Sequence, residues 1–169
     1  MTGGGVGGEM EPVQVVGMVR FSYLGSGGFQ SVPEDLDEAA AHLFDDARMD
    51  RRFRMFERVT VPSLAAQTDP DFALVVLTAE NLPAHHLERL KAAVAKLRNG
   101  SILQLPAMPQ YRAVREAVQS GLALQPDLTA QFRLDDDDGL ALDFVATLKR
   151  HAPEVARLHL DSDTAGIGL

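Results

Sequence analysis

Phe72-Ala73-Leu74-Val75-Val76-Leu77-Thr78 (FALVVLT, residues 72–78) is the stretch that decides the class of fold. Its apolar run is continuous rather than alternating, the pattern of a strand covered on both faces. A helical segment follows from about Pro83 to Leu97, with Leu87, Leu90, Val94 and Leu97 on one stripe, and Asn99-Gly100 stops it. Upstream, VQVVGMVRF (13–21) is a second strand of the same kind, and LGSGGFQSVP (24–33) reads as a glycine-rich loop. Between them, residues 48–67 carry Met49, Phe53, Phe56 and Leu64 near helical spacing, and Pro62 predicts a kink or two short helices. Downstream, SILQL (101–105) is a third strand, ended by Pro106 and Pro109. Tyr111, Val114 and Val118 mark a short helix closed by Gly121, and TAQFRL (129–134) is a fourth strand. A helix over about 140–150 places Ala141, Phe144, Val145 and Leu148 on one face. This alternation predicts a three-layer α/β fold, with one mostly parallel sheet and helices on both faces. Such sheets bind ligands beyond the carboxyl ends of their strands. Those ends are Arg20-Phe21, Thr78-Ala79-Glu80, Pro106-Ala107 and Asp135 to Asp138.

The 169 residues fit one domain, expected over 13–160, with a flexible glycine-rich start (1–12) and an irregular tail (161–169). Hydrophobic residues are 46% and charged residues 24%, as in a soluble globular chain. Sixteen Lys and Arg against 24 Asp and Glu give a formal charge of -8, which argues against an extended nucleic-acid face. The absence of cysteine excludes disulfides, thiolate metal sites and Cys nucleophiles. No stretch approaches the roughly 18 apolar residues of a membrane helix, and MTGGGVGG is no signal peptide, so a cytoplasmic location is expected.

Several motifs fall away on context. Gly3, Gly5 and Gly8 satisfy G-x-G-x-x-G but precede the first strand, whereas a dinucleotide fingerprint must follow one. GSGGFQ has Gln30 where the third glycine belongs, and there is no Walker A sequence. The five histidines (His42, His85, His86, His151, His159) show no metal-ligand spacing with carboxylates, so no zinc site is read, and His85-His86 is expected to be solvated surface.

The run Asp135-Asp136-Asp137-Asp138 is the informative feature. One or two aspartates could cap the following helix. Four are harder to explain that way, because carboxylates about 4 Å apart repel by ~1 kcal/mol even in water. A divalent cation cancels that repulsion and favours such hard oxygen ligands, and metal binding accounts for the run better than capping. The run is no EF-hand, which would need an acid at Leu134 and Glu at Val145. It is no phosphatase-type D-x-D-x-T/V either, since Gly139 stands where Thr or Val belongs. If the strand stays extended, Gln131, Arg133, Asp135 and Asp137 point to one side and Asp136 and Asp138 to the other. Asp135 and Asp137 then converge on one pocket, with Arg133 behind them.

Four segments, VRFSYLGSGGFQ, FERVTVPSLAAQTDPDFALVVLT, NLPAHHLERLKAAV and QFRLDDDD, resemble the bacterial rhamnosyltransferase family, relatives of GT-A-fold glycosyltransferases. The likeness covers roughly residues 13–150, and QFRLDDDD is its most specific signature. It implies that Asp135 and Asp137 hold Mn²⁺ or Mg²⁺ in the D-x-D manner, beside Asp136 and Asp138. It further implies that Arg20, Phe21, Thr78, Arg133, Asp135 and Asp136 contact a nucleoside-diphosphate sugar, whose sugar passes to an acceptor hydroxyl. GT-A enzymes continue well past their D-x-D, whereas this sequence runs about 30 residues beyond Asp138. The expectation is therefore a metal-assisted glycosyltransferase or most of its donor half, with a noncatalytic nucleotide- or metal-binding module as the alternative. The catalytic base is expected to lie outside this sequence, since nothing singles out Asp143, Asp161 or Asp163. Self-association through uncovered apolar surface is also expected.

Overall fold

The computed structural model describes residues 13–25, 36–122 and 128–158. The glycine-rich start, most of the 24–33 loop with Gln30, His159, and the tail with Asp161 and Asp163 lie outside the described residues. Four strands, β1 (Val13–Arg20), β2 (Ala73–Ala79), β3 (Gly100–Leu105) and β4 (Leu128–Asp135), form one parallel sheet in the order β3-β2-β1-β4. All four expected strands are in it. The helices are α1 (Leu36–Leu43), α2 (Asp46–Met55), α3 (Val61–Ala65), α4 (Ala84–Val94), α5 (Gln110–Gly121) and α6 (Phe144–Leu158).

The alternation of strand side chains sorts the core into two layers. Val15, Val19, Leu74, Val76, Ala130 and Phe132 meet α2, α3, α4 and α6 on one face. Met18, Val75, Leu77 and Leu105 meet Ala113 and Ala117 of α5 on the other. Both faces of β1 and β2 are thus covered, which is why those two strands could be apolar throughout, whereas β4 alternates and leaves Gln131, Arg133 and Asp135 exposed on one side. Gly17 is required on β1, because a Cβ there would overlap the Phe132 ring. That ring packs edge-on against Phe144 and tilted against Phe72, with centroids 5.2 and 6.2 Å away.

Three details differ from the periodicity. Residues 46–65 are helical without a break: a π-helical turn, Phe56–Thr60, joins α2 to α3. Val61 N–H bonds to Phe56 C=O, a wide turn that absorbs the donor missing at Pro62. Tyr111 is exposed, and α5 buries Ala113, Ala117 and Val118, whose small side chains let it lie close to the sheet. Gly121 lies inside the last turn of α5, where a Cβ would come within 2.8 Å of Val16 Cγ1.

The helix expected at 140–150 begins at Phe144 and runs to Leu158, leaving Ala141 exposed before it. The reason is Gln67. Its Nε2 donates to Ala141 C=O at 2.7 Å, and its Oε1 accepts from Val145 N–H at 3.0 Å. Thr68 N–H also bonds to Leu142 C=O. These bonds hold 141–142 out of the helix and satisfy one of the amide donors that a helix start leaves without an intrahelical partner.

Candidate functional site

The crossovers from β1 to β2 and from β2 to β3 lie on one face, whereas α5, between β3 and β4, lies on the other. The chain therefore reverses its winding between β1 and β4, where neighbouring connections diverge and a crevice opens at the carboxyl edge. A cleft of about 310 Å³ occupies that position. Met18, Leu77 and Val114 give it apolar walls, while Arg20, Tyr23, Gln110, Arg133, Asp135 and Asp138 bring polar groups. A second cleft, about 240 Å³, lies at the amino ends of β2 and β3 between Leu64, Phe72, Leu74 and Leu97; its charged lining is Lys96 and Arg98. The carboxyl-edge cleft is the candidate because charges of both signs converge there at the switch point.

Parallel register sets Arg20 beside Asp135, and Arg20 Nη2 lies 3.5 Å from Asp135 Oδ1. Beyond Arg20 the chain turns at Ser22, whose φ of 46° is left-handed for a residue with a Cβ. Ser22 is buried, with its Oγ against Met49 Sδ at 3.3 Å. The next residue, Tyr23, donates its hydroxyl to Pro106 C=O at 2.8 Å and accepts from Met108 N–H at 3.3 Å. It thus ties the exit of β1 to the loop before α5. Burial pushes the Tyr23 phenol above its usual range. Because α5 follows a parallel strand, its first turn, with Gln110, stands at this edge, where helical amide N–H groups favour anions.

The aspartate run divides sharply. Asp135 ends β4 on the cleft side, as period two requires. Asp136 takes the opposite side and is buried, its side chain 1% exposed. Arg52 of α2 grips it with both arms: Nε donates to Oδ2 at 2.7 Å and Nη2 donates to Oδ1. Thr60 Oγ1 donates to the Asp136 carbonyl at 2.9 Å. Burial raises the Asp136 carboxyl above the ordinary range, and Arg52 pulls it back. The strand does not stay extended past this point. Asp138 N–H bonds to Asp135 C=O at 3.2 Å, closing a turn that returns Asp138 to the cleft beside Asp135, with Asp137 exposed at its tip. The extended-strand expectation, which paired Asp137 with Asp135 in the pocket and put Asp138 on the far side with Asp136, is corrected by that turn: Asp138, not Asp137, lines the cleft with Asp135. None of the four caps α6, which starts six residues after Asp138.

Other expected site residues disperse. Arg20 and Arg133 line the cleft. Phe21 does not reach it: the ring is fully buried against Phe53 and Phe56, with centroids 4.7 and 5.1 Å away. Thr78 is fully buried too, its Oγ1 without a hydrogen-bond partner, at a position whose parity matches Leu74 and Val76 on the far face. His86 is a further correction. It is buried beside Phe53 rather than solvated, because the first turn of α4 packs against α2. The residues that sequence reasoning missed are Tyr23, Gln110, Arg52 and Thr60. The first two sit where a switch point would place them, but Arg52 and Thr60 carry no local signal.

Among the described residues no helix is long and apolar enough to cross a membrane. No match was found among curated proteins. The sheet order, the covered faces and the carboxyl-edge cleft are those of a Rossmann- or GT-A-like architecture, in agreement with a family model described as putative rhamnosyl transferase that matches residues 14–169. The chain belongs to that rhamnosyl transferase family.

Proposed function

We propose that the carboxyl-edge cleft binds a nucleoside-diphosphate sugar and that the chain serves transfer of its hexose, rhamnose by the family's name, to an acceptor hydroxyl. The observation that carries this reading is the convergence of the Asp135–Asp138 turn, Arg20, Arg133 and the start of α5 at the switch point. Arg20 and Arg133 supply fixed positive charge for phosphate oxygens, and the first turn of α5 adds amide donors. Met18, Leu77 and Val114 give an apolar wall against which a base can lie.

The oxygen donors of the turn suit a hard divalent cation. Asp135 and Asp137 are the proposed ligands for Mn²⁺ or Mg²⁺, with Asp138 facing the same cleft. When bound, such an ion neutralises charge on the departing diphosphate. Asp136 contributes differently. Clamped by Arg52, it fixes the turn so that Asp135 and Asp138 present their carboxylates to the cleft. A noncatalytic donor-binding module is the second reading. It is favoured by one fact: the carboxylates that line the cleft among the described residues, Asp135 and Asp138, both belong to the acidic turn.

Titration calorimetry with UDP and dTDP, with Mn²⁺ and in EDTA, tests the proposal. Nucleotide binding strengthened by Mn²⁺ and losing that increment in Asp137→Ala is the expected result. Equal affinity in EDTA, or no binding of either nucleotide, would remove the reading's physical basis. Turnover of a nucleotide sugar then separates enzyme from module.

A further inference from the structure

A second cluster lies on the opposite face of the sheet, where α2 meets α4. Asp46, the first residue of α2, places Oδ1 3.3 Å from His85 Nε2 and 3.2 Å from His86 Nε2, although 39 residues separate Asp46 from His85. The three ligand atoms all lie within 4.8 Å of one another. His86 is the unusual member. Its side chain is 7% exposed, yet Nε2 is buried without a hydrogen-bond partner, close to Asp46 but not aligned for a hydrogen bond. A buried imidazole nitrogen left in that condition costs free energy unless something else takes its lone pair.

One Asp46 oxygen cannot serve both rings well, since their centroids lie 3.9 Å apart with the planes tilted by 47°. A metal ion can serve all three groups at once. Zinc binds imidazole nitrogen and carboxylate oxygen at about 2.0–2.2 Å, so adjacent ligands of a tetrahedral site stand about 3.3–3.6 Å apart. The two Asp46–His separations, 3.3 and 3.2 Å, lie at the short end of that range and just below it. Two imidazoles and a carboxylate favour zinc-class ions over the hard cations suited to the all-oxygen turn at Asp135–Asp138. Asp46 and His85 are 82% and 67% exposed, leaving the remaining coordination position open to water.

We propose that Asp46, His85 and His86 form a site for one zinc-class divalent ion that pins the start of α2 to the start of α4. The consequence reaches the cleft through the fold: α2 carries Arg52, which holds Asp136 and so the turn beside it. The proposal does not depend on the nucleotide-sugar reading.

The test uses the full chain, with any affinity tag removed, titrated with Zn²⁺ by calorimetry and with Co²⁺ as a visible-absorption probe. One equivalent of Zn²⁺ should bind, Co²⁺ should show the intense bands of tetrahedral coordination, and Zn²⁺ should raise Tm. His85→Ala and Asp46→Ala change exposed side chains, so both should fold, as circular dichroism would verify. Each should weaken Zn²⁺ by more than about tenfold, the least that losing even an outer partner of a metal ligand costs. Asp137→Ala should retain full Zn²⁺ affinity, which keeps this site distinct from the acidic turn. The proposal is overturned if the wild-type chain binds no Zn²⁺, or if the Asp46→Ala/His85→Ala double variant binds it as tightly as wild type.

Discussion

Replacing Arg52 by Met would test how the acidic turn is held. The Asp136 carboxylate is 1% exposed, and Arg52 is its charged partner, bonded through both arms. Removing one member of a buried ion pair typically costs about 3–5 kcal/mol, because the other charge is left uncompensated. The Arg52 side chain is 31% exposed, so water can enter the vacated space and soften the loss. A destabilisation of about 3 kcal/mol is therefore expected, or a fall in Tm of about 6–12 °C for a chain of this length. The pH dependence carries a sign. Burial already raises the Asp136 carboxyl, and Arg52 opposes that rise, so without Arg52 the folded-state value climbs further. A carboxyl raised on folding contributes stability at low pH, and this is lost as pH rises from the unfolded value, about 4, through the folded one. The variant should accordingly be less impaired at pH 5 than at pH 8. Arg52→Met/Asp136→Leu, which removes both charges, should recover most of the loss. Urea denaturation followed by circular dichroism at the two pH values measures all of this. A cost below about 1 kcal/mol with no pH dependence would mean that the pair does not hold the turn, and the account of Asp136 would be wrong.

Gly17→Ala should destabilise by about 1–3 kcal/mol through overpacking, since the new methyl meets the Phe132 ring inside the three-phenylalanine cluster; denaturant titration of the variant, with an unchanged midpoint as the contrary result, checks it. Glu57 should contribute an acid-sensitive increment. Bidentate hydrogen bonds from Arg89, at 2.8 and 3.0 Å, hold its carboxyl below the ordinary range against a smaller opposing effect of burial. That stability is present above the unfolded value, about 4.3, and is lost as pH falls through the folded one. Tm scans from pH 7 to 3 should therefore show a shallower acid limb for Glu57→Gln than for wild type, and identical limbs would count against the pairing.

What was legible in the sequence follows from how local each signal is. FALVVLT and VQVVGMVRF could be read as buried parallel strands because both faces of a covered strand select the same apolar residues. The carboxyl-edge location of the cleft followed from strand–helix alternation alone. Side-chain direction held only while the backbone kept its period: alternation placed Asp135 and Asp136 on their observed sides and failed at Asp138, where a hydrogen bond to Asp135 closes a turn. Phe21 shows the converse error. It stands at a strand end, as a ligand-contacting residue would, but its large apolar ring is drawn into the Phe53–Phe56 cluster.

Pairings distant in sequence were beyond reach. Arg52 and Asp136 are separated by 84 residues, and Gln67 and Val145 by 78. Four adjacent aspartates look alike in one dimension, yet a single arginine from α2 makes one of them structural, while Asp135 and Asp138 line the cleft. The same helix carries Asp46 toward His85 and His86 at its start and Arg52 toward the turn further along. Its placement thus sets the geometry of the acidic turn and of the histidine cluster together. A change that shifts α2 against the sheet should disturb both, whereas Asp137→Ala, at the exposed tip of the turn, should disturb only the first.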